Sequence, residues 1–179
     1  WDDATMFSGN AYWLRSDRKT GNGDLNDEYA NPGDDEGVQN ATGTKQDAYG
    51  ANGQITFDQD WLGRRNQLVV GTGVEYSLIK FMQSEEEIAT LLANGFFGGD
   101  REDPEQSTGL TGKTKTFSLF ATNTHALNDQ WNINTAARYN FIQVDNQDTF
   151  NPPGGASSLS GKHHYERVNP SVGLTFHPT

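Results

Sequence analysis

Asn66-Gln-Leu-Val-Val-Gly-Thr-Gly-Val-Glu-Tyr-Ser-Leu-Ile-Lys-Phe81 is the stretch on which the fold turns. Leu68, Val70, Thr72, Val74, Tyr76 and Leu78 share one parity, and Val69, Gly71, Gly73, Glu75 and Ser77 share the other. Successive side chains of a strand point to opposite faces, so this period of two predicts a strand with one apolar face and one small or polar face. It is longer than the about 5–6 residues usual in a globular strand.

Moving outward, the pattern recurs. Trp131, Ile133, Thr135, Ala137, Tyr139 and Phe141 alternate with Asn132, Asn134, Ala136, Arg138 and Asn140. Tyr49, Ala51, Gly53, Ile55 and Phe57 form another apolar row, and Val168, Pro170, Val172, Leu174 and Phe176 a fourth. With weaker patterns at Met6–Arg15 and Lys113–Leu127, six strands are expected, at about 5–15, 46–58, 66–81, 113–127, 130–145 and 164–177. The class is all-β, an antiparallel up-and-down meander. Short turns at 61–65 and 127–130 alternate with long connections at 16–45, 82–112 and 146–163. Such long connections are uncommon in a compact soluble domain. Their alternation places all long loops at one end and all tight turns at the other. In the second connection Ser84 is positioned as a helix cap, with Glu87 at the capping-box position, Ile88, Leu91 and Leu92 as an apolar stripe and Gly95 as a stop.

Composition narrows the function. The 179 residues carry 24 acids against 13 bases, a net charge of -11, and only 33% are hydrophobic. A nucleic-acid binder needs a basic face, so that class is excluded. With no cysteine there is no disulfide scaffold, thiolate zinc site or cysteine nucleophile. The opening Trp1-Asp2-Asp3 has no basic or apolar signal-peptide pattern. No hydrolase, metalloprotease or phosphate-loop motif occurs, and the carboxylates cluster in loops without a frame to tune them; no enzyme is expected.

A one-faced apolar strand must bury that face somewhere. The strands exceed the about 9–11 tilted residues that cross a bilayer. Their apolar rows end in aromatics: Trp131 and Phe176 toward the short turns, and Tyr49, Tyr76, Tyr139 and Phe141 toward the long loops. That matches the two girdles of a membrane barrel. In lipid every backbone polar group must be paired, which requires a closed sheet. Six strands are too few for the about eight of the smallest bacterial barrels. The chain is therefore expected to be a piece of a larger barrel, with both ends on the short-turn side.

The run from Thr114 to Trp131, then Ala136-Ala-Arg-Tyr139, Val144-Asp-Asn-Gln-Asp148, the loop Asn151-Pro-Pro-Gly-Gly-Ala-Ser-Ser-Leu-Ser-Gly161 and Tyr165-Glu-Arg-Val-Asn-Pro-Ser-Val-Gly-Leu-Thr-Phe176 resemble TonB-dependent outer-membrane receptors. The resemblance is best over 113–179, fair over 46–81 and pattern-level elsewhere. It implies part of a 22-stranded barrel whose lumen is filled by a plug domain, in the bacterial outer membrane. It implies uptake of a scarce nutrient, such as a ferric siderophore, haem, cobalamin or glycan. The partners implied are outer-membrane lipid and lipopolysaccharide, a small nutrient ligand, and the TonB complex, reached through a plug that this sequence lacks. The alternatives are a complete small outer-membrane barrel, porin or adhesin, which needs at least eight strands, and a soluble β-sandwich glycan-binding module, which needs apolar rows facing each other.

Arg138 and Glu75 fall on the polar parity and are candidate ligand contacts in the lumen; the competing reading is ion pairing with neighbours. Phe96 and Phe97 in the second long connection are candidate stacking residues for a ligand. The connections 16–45 and 82–112 hold 14 of the 24 acids. Asp24, Asn26 and Glu28 have the alternating oxygens of a Ca²⁺ loop but lack its glycine and distal glutamate. A solvated loop bridged by divalent ions to lipopolysaccharide competes with that reading. His163 and His164 are adjacent in a strand and so point apart, which argues against a shared metal. Val70 and Ile133 are expected at mid-strand lipid-facing positions, and Gly71 and Asn134 at tolerant lumen positions.

Overall fold

Each alternating stretch forms a strand and pairs with the next one along the chain. The computed structural model describes residues 4–25, 37–88 and 103–178. The strands are β1 (Thr5–Leu25), β2 (Gly37–Trp61), β3 (Arg64–Ile88), β4 (Glu105–Ala126), β5 (Trp131–Asp148) and β6 (Gly161–Phe176). They form one antiparallel six-stranded sheet in the order β1-β2-β3-β4-β5-β6. The sheet does not close on itself, and β1 and β6 each have one neighbour.

The register resolves the two faces. Opposite partners share a face. One row runs Ala11–Ala51–Val74–Phe117–Phe141, and another runs Phe7–Ile55–Val70–Ala121–Ala137. On the other side, Tyr12–Gly50–Glu75–Thr116–Ile142 form one row and Gln54–Gly71–Phe120–Arg138–Asn169 another. The first face is apolar and the second is polar or small.

Nothing among the described residues covers the apolar face. Among the described residues only Val38 and Ala48 are buried apolar side chains, whereas Val172 is 74% exposed and Trp13 67%. A soluble sandwich needs a second sheet against these rows, and the described residues contain none. Apolar area left open on this scale needs a non-aqueous neighbour.

Aromatics bound the apolar band at both ends. Toward the short turns, the Trp131 and Phe176 rings lie 4.8 Å apart and Trp61 meets His125 edge-on at 5.4 Å. Toward the long loops, Tyr49 and Tyr76 stack at 5.1 Å, and the Tyr139 hydroxyl donates to Glu166 at 3.0 Å. Trp131 to Phe141 is ten steps of about 3.3 Å, which at a barrel's usual tilt of ~40° gives a band of roughly 25 Å.

The short turns are built from local chemistry. Leu62 and Gly63 both have positive φ, 54° and 74°, in a two-residue connection between β2 and β3. That backbone follows the right-handed twist of the flanking strands. In the second turn Asn128 Oδ1 accepts from the backbone N–H of Gln130 and Trp131, both at 2.9 Å. Arg64 Nη1 bridges to Asp129 Oδ1 at 3.1 Å and links the two turns.

At the other end the strands outrun their sequence pattern. β1, β2, β3 and β4 continue well into the stretches read as loops at 16–45 and 82–112. β5 and β6 each extend by three residues into the third, beyond 145 and before 164. Asp17, Asp24 and Glu85 thus sit on strands. Ser84 is not a helix cap: Ser84–Ile88 pairs in register with Ala41–Gly37. Ladder pairing satisfies each backbone group as it adds, whereas a short helix must first meet an unfavourable nucleation step. Leu91, Leu92 and Gly95 lie outside the described residues.

Candidate functional site

The polar face is lined by small residues, and two of them carry aromatic rings. Tyr12 of β1 lies across Gly50 of β2, where an added Cβ would sit 2.8 Å from the ring. Its hydroxyl reaches over β2 to donate to the Glu75 carboxylate of β3. Phe120 of β4 lies across Gly71 of β3, where an added Cβ would come within 2.3 Å of the ring. The two glycines are needed for close approach, not for an unusual backbone conformation.

Arg138 of β5 completes the group. Its guanidinium carbon is 6.0 Å from the centre of the Phe120 ring, at the edge of cation–π range, and its Nε donates to Asn140 Oδ1 at 2.9 Å. Tyr12, Asn52, Glu75, Ser118, Phe120 and Arg138 line one shallow depression. Glu75 and Arg138, both read from sequence, therefore face the same space. The sheet brings them together without pairing them: among the described residues no ion pair joins the two. Glu75 is held by a phenol and Arg138 by an amide and a ring. Negative charge at one end and positive charge at the other, with flat aromatic surface between, suits a polar partner with both donors and acceptors.

Sequence reasoning missed Tyr12 and Phe120. Each lies across a glycine of the neighbouring strand, a relation that only the register reveals. Sequence reasoning also treated Gly71→Ser as tolerant, and the Phe120 contact contradicts that. Asn134 lies on the polar face, where it accepts from Thr124 Oγ1 at 2.9 Å and donates to Thr175 Oγ1 at 3.1 Å.

The other expected site residues divide differently. Phe96, Phe97, Asn26 and Glu28 lie outside the described residues, and Asp24 pairs with Val38 in β1. His163 and His164 fall on opposite faces, opposite Val144 and Gln143. No group of metal-binding side chains occurs among the described residues.

Asp148, 5% exposed at the tip of β5, organises the third loop. Oδ1 accepts from the backbone N–H of Phe150 and Asn151, both at 2.8 Å. Oδ2 accepts from the Leu159 N–H at 3.0 Å and the Asn151 amide at 3.2 Å. The backbone donors of Leu159, Asn151 and Phe150 hold the carboxyl down at about 2, although desolvation opposes them. The loop is a formed structure pinned across its base.

A family model described as "TonB dependent receptor-like, beta-barrel" matches residues 1–179. This chain belongs to the TonB-dependent receptor β-barrel family. Among solved structures, the ferric citrate transporter FecA in its unliganded form aligns with 99% of the chain at a TM-score of 0.69 and 12% identity. At that identity the likeness shows the fold. The chain spans 23% of the length of that transporter chain. Among proteins of curated function, none matches. A single open sheet, long loops at one end and tight turns at the other are what a portion of a TonB-dependent receptor barrel presents.

Proposed function

We propose that this chain forms part of the wall of a TonB-dependent receptor that imports a scarce nutrient, such as a ferric siderophore, across the bacterial outer membrane. The apolar face meets lipid and the polar face lines the lumen. The observation that carries this is the family match over all residues, on a sheet whose one apolar face is bounded by two aromatic rows roughly 25 Å apart. The Tyr12–Glu75 and Phe120–Arg138 pairs are the wall's contact points, for the plug that transmits TonB's action or for the nutrient passing it. The role is binding and passage, with no chemical step.

The complete receptor containing this chain should appear in the outer-membrane fraction, and its deletion should abolish energised uptake of one nutrient class in a panel of ferric siderophores, haem, cobalamin and glycans. Uptake should also cease when TonB is removed. Arg138→Gln with Glu75→Gln should lower uptake by about tenfold or more, on the scale of a lost charged contact, with surface binding retained. Uptake that persists without TonB would overturn the reading.

A further inference from the structure

Past the Tyr49–Tyr76 row, toward the long loops, most of the apolar side chains left on β3, β4 and β5 change sides. On the face that is apolar below, the next two rows read Arg15–Asp47–Leu78–Lys113–Asp145 and Asp17–Lys45–Lys80–Thr111–Gln147. On the face that is polar below, strand parity brings up Ile79, Phe81, Leu110 and Val144. Leu78 and Met82 are the exceptions on the other side.

The four are contiguous and half-buried. Phe81 and Leu110 are direct cross-strand partners, and Leu110 is diagonal to Ile79. Gly112, opposite Ile79, puts no side chain between them and Val144, its diagonal neighbour on β5. Two polar neighbours are already engaged. Ser77 accepts from Gln46 Nε2 at 3.1 Å, and Asp148, opposite Leu110, is turned into its own loop. Thr114 and Asn146 are not: among the described residues neither side chain has a hydrogen-bond partner. Asn146 Oδ1 lies 3.2 Å from where a Cβ on Gly112 would sit.

β5 carries this surface down into the Glu75–Arg138 depression, reading Val144, Ile142, Asn140 and Arg138 on one face. Arg167 of β6 opposes Asn140 and is diagonal to Arg138. Among the described residues no ion pair engages either arginine, while Glu75, across the depression, is engaged by Tyr12. An apolar wall continuous with two unpaired cations complements a molecule with an apolar portion and an anionic group.

We propose that this wall selects an anionic amphiphile. An alkyl or aryl portion of the nutrient or its carrier lies on Ile79, Phe81, Leu110 and Val144, with Thr114 and Asn146 free to meet a polar group along it. The anionic head lies between Arg138 and Arg167. Arg138 and Val144 stand about 20 Å apart along the strand, so the bound molecule is extended. This inference rests on the receptor reading above and narrows its nutrient class. Exchanging Glu75 and Arg138 together leaves the net charge of the depression unchanged and Arg167 in place, so surface binding survives that exchange.

The test uses the complete receptor in lipid nanodiscs, without TonB, and two benzophenone-tipped alkyl probes, one with a carboxylate head and one with a quaternary ammonium head. Photo-crosslinks are assigned to residues by mass spectrometry, with lipid-facing Val70 as the internal reference. The carboxylate probe should mark Ile79, Phe81, Leu110 and Val144 at least about tenfold more than the ammonium probe, a scale set by charge-assisted contacts. The R138Q/R167Q variant should lose that preference. The I79S/L110S/V144S variant should lower marking of this wall by about tenfold or more with marking at Val70 unchanged, since three apolar contacts are removed. Equal marking by the two probes on the wild type overturns the proposal, and so does a wall left unmarked because another segment of the receptor covers it. Both comparisons stand even if a variant does not fold. Uptake is scored separately: uptake that persists without TonB refutes the receptor reading, whereas a TonB-dependent receptor with an unmarked wall refutes this site alone.

Discussion

Below the Trp13–Tyr49–Tyr76 row the strands alternate apolar and polar; above it the same strands continue to pair, with one register shift between Gln83 and Ser84 on β3, and the alternation is gone. β2 shows the contrast in one element. From Tyr49 to Phe57 it reads apolar at every second position, while Gly37–Ala48 is mostly Gly, Thr, Asn, Gln and charged residues. In the proposed orientation the lower half meets different media on its two faces, and the upper half meets water on both. Alternation records a difference between two environments, so it disappears where the environments become the same, although the backbone ladder does not.

The sharpest way to break this contrast is an arginine on the apolar face. Val70 and Ala137 occupy the same row, midway between the aromatic boundaries. Val70→Arg or Ala137→Arg should cost ~2–4 kcal/mol in denaturant unfolding from vesicles. Ile133 sits two residues from Trp131, nearer the boundary than its sequence pattern suggested. Ile133→Arg should cost only ~0–1 kcal/mol. Equal penalties at the two depths would show that no lipid boundary lies between them.

Next in size is a steric test of the polar face. Gly71→Ala drives a methyl into the Phe120 ring and should destabilise by ~1–3 kcal/mol. Gly173, with nothing within 4 Å of an added Cβ, is its control. Gly173→Ala should stay within ~0.5 kcal/mol of wild type in the same unfolding assay. A tolerated Gly71→Ala would mean that Phe120 does not lie across it.

Above the boundary, effects should be local. Asp148→Asn should speed amide exchange at Phe150, Asn151 and Leu159 while unfolding of the lower band is unchanged. The carboxyl is held at about 2, below its unfolded value. Its contribution to loop order is therefore present above about pH 4 and lost as pH falls through about 2. Protection at those three amides, relative to their intrinsic exchange rates at each pH, that is the same at pH 5 and pH 2 would refute the role. Smallest of all, Lys162→Gln removes an exposed pair with Asp145 at 3.4 Å and should move stability by less than ~0.5 kcal/mol.

The strand cores, the apolar parity and the aromatic ends were all legible in the chain. So was the placement of Glu75 and Arg138 on one face, because parity is local. Ser84 illustrates the opposite case. Ser84, Glu87 and Ile88 satisfy the rules for a helix start, yet their backbone pairs with residues 37–41. A capping pattern describes what a segment does alone and carries nothing about a strand more than forty positions away. Tyr12 and Phe120 were illegible for the same reason.

By itself the sequence determined that this protein is a one-faced β meander with its long connections at one end and its tight turns at the other. A period of two and the residue types at its ends are properties of single strands, imposed by the media on either side. Only the tertiary structure decided how far the ladders climb past the aromatic row, that Tyr12 crosses Gly50 to reach Glu75, and that Phe120 lies across Gly71 beside Arg138. Those are facts of register, and register is a relation between strands set by pairing and turns.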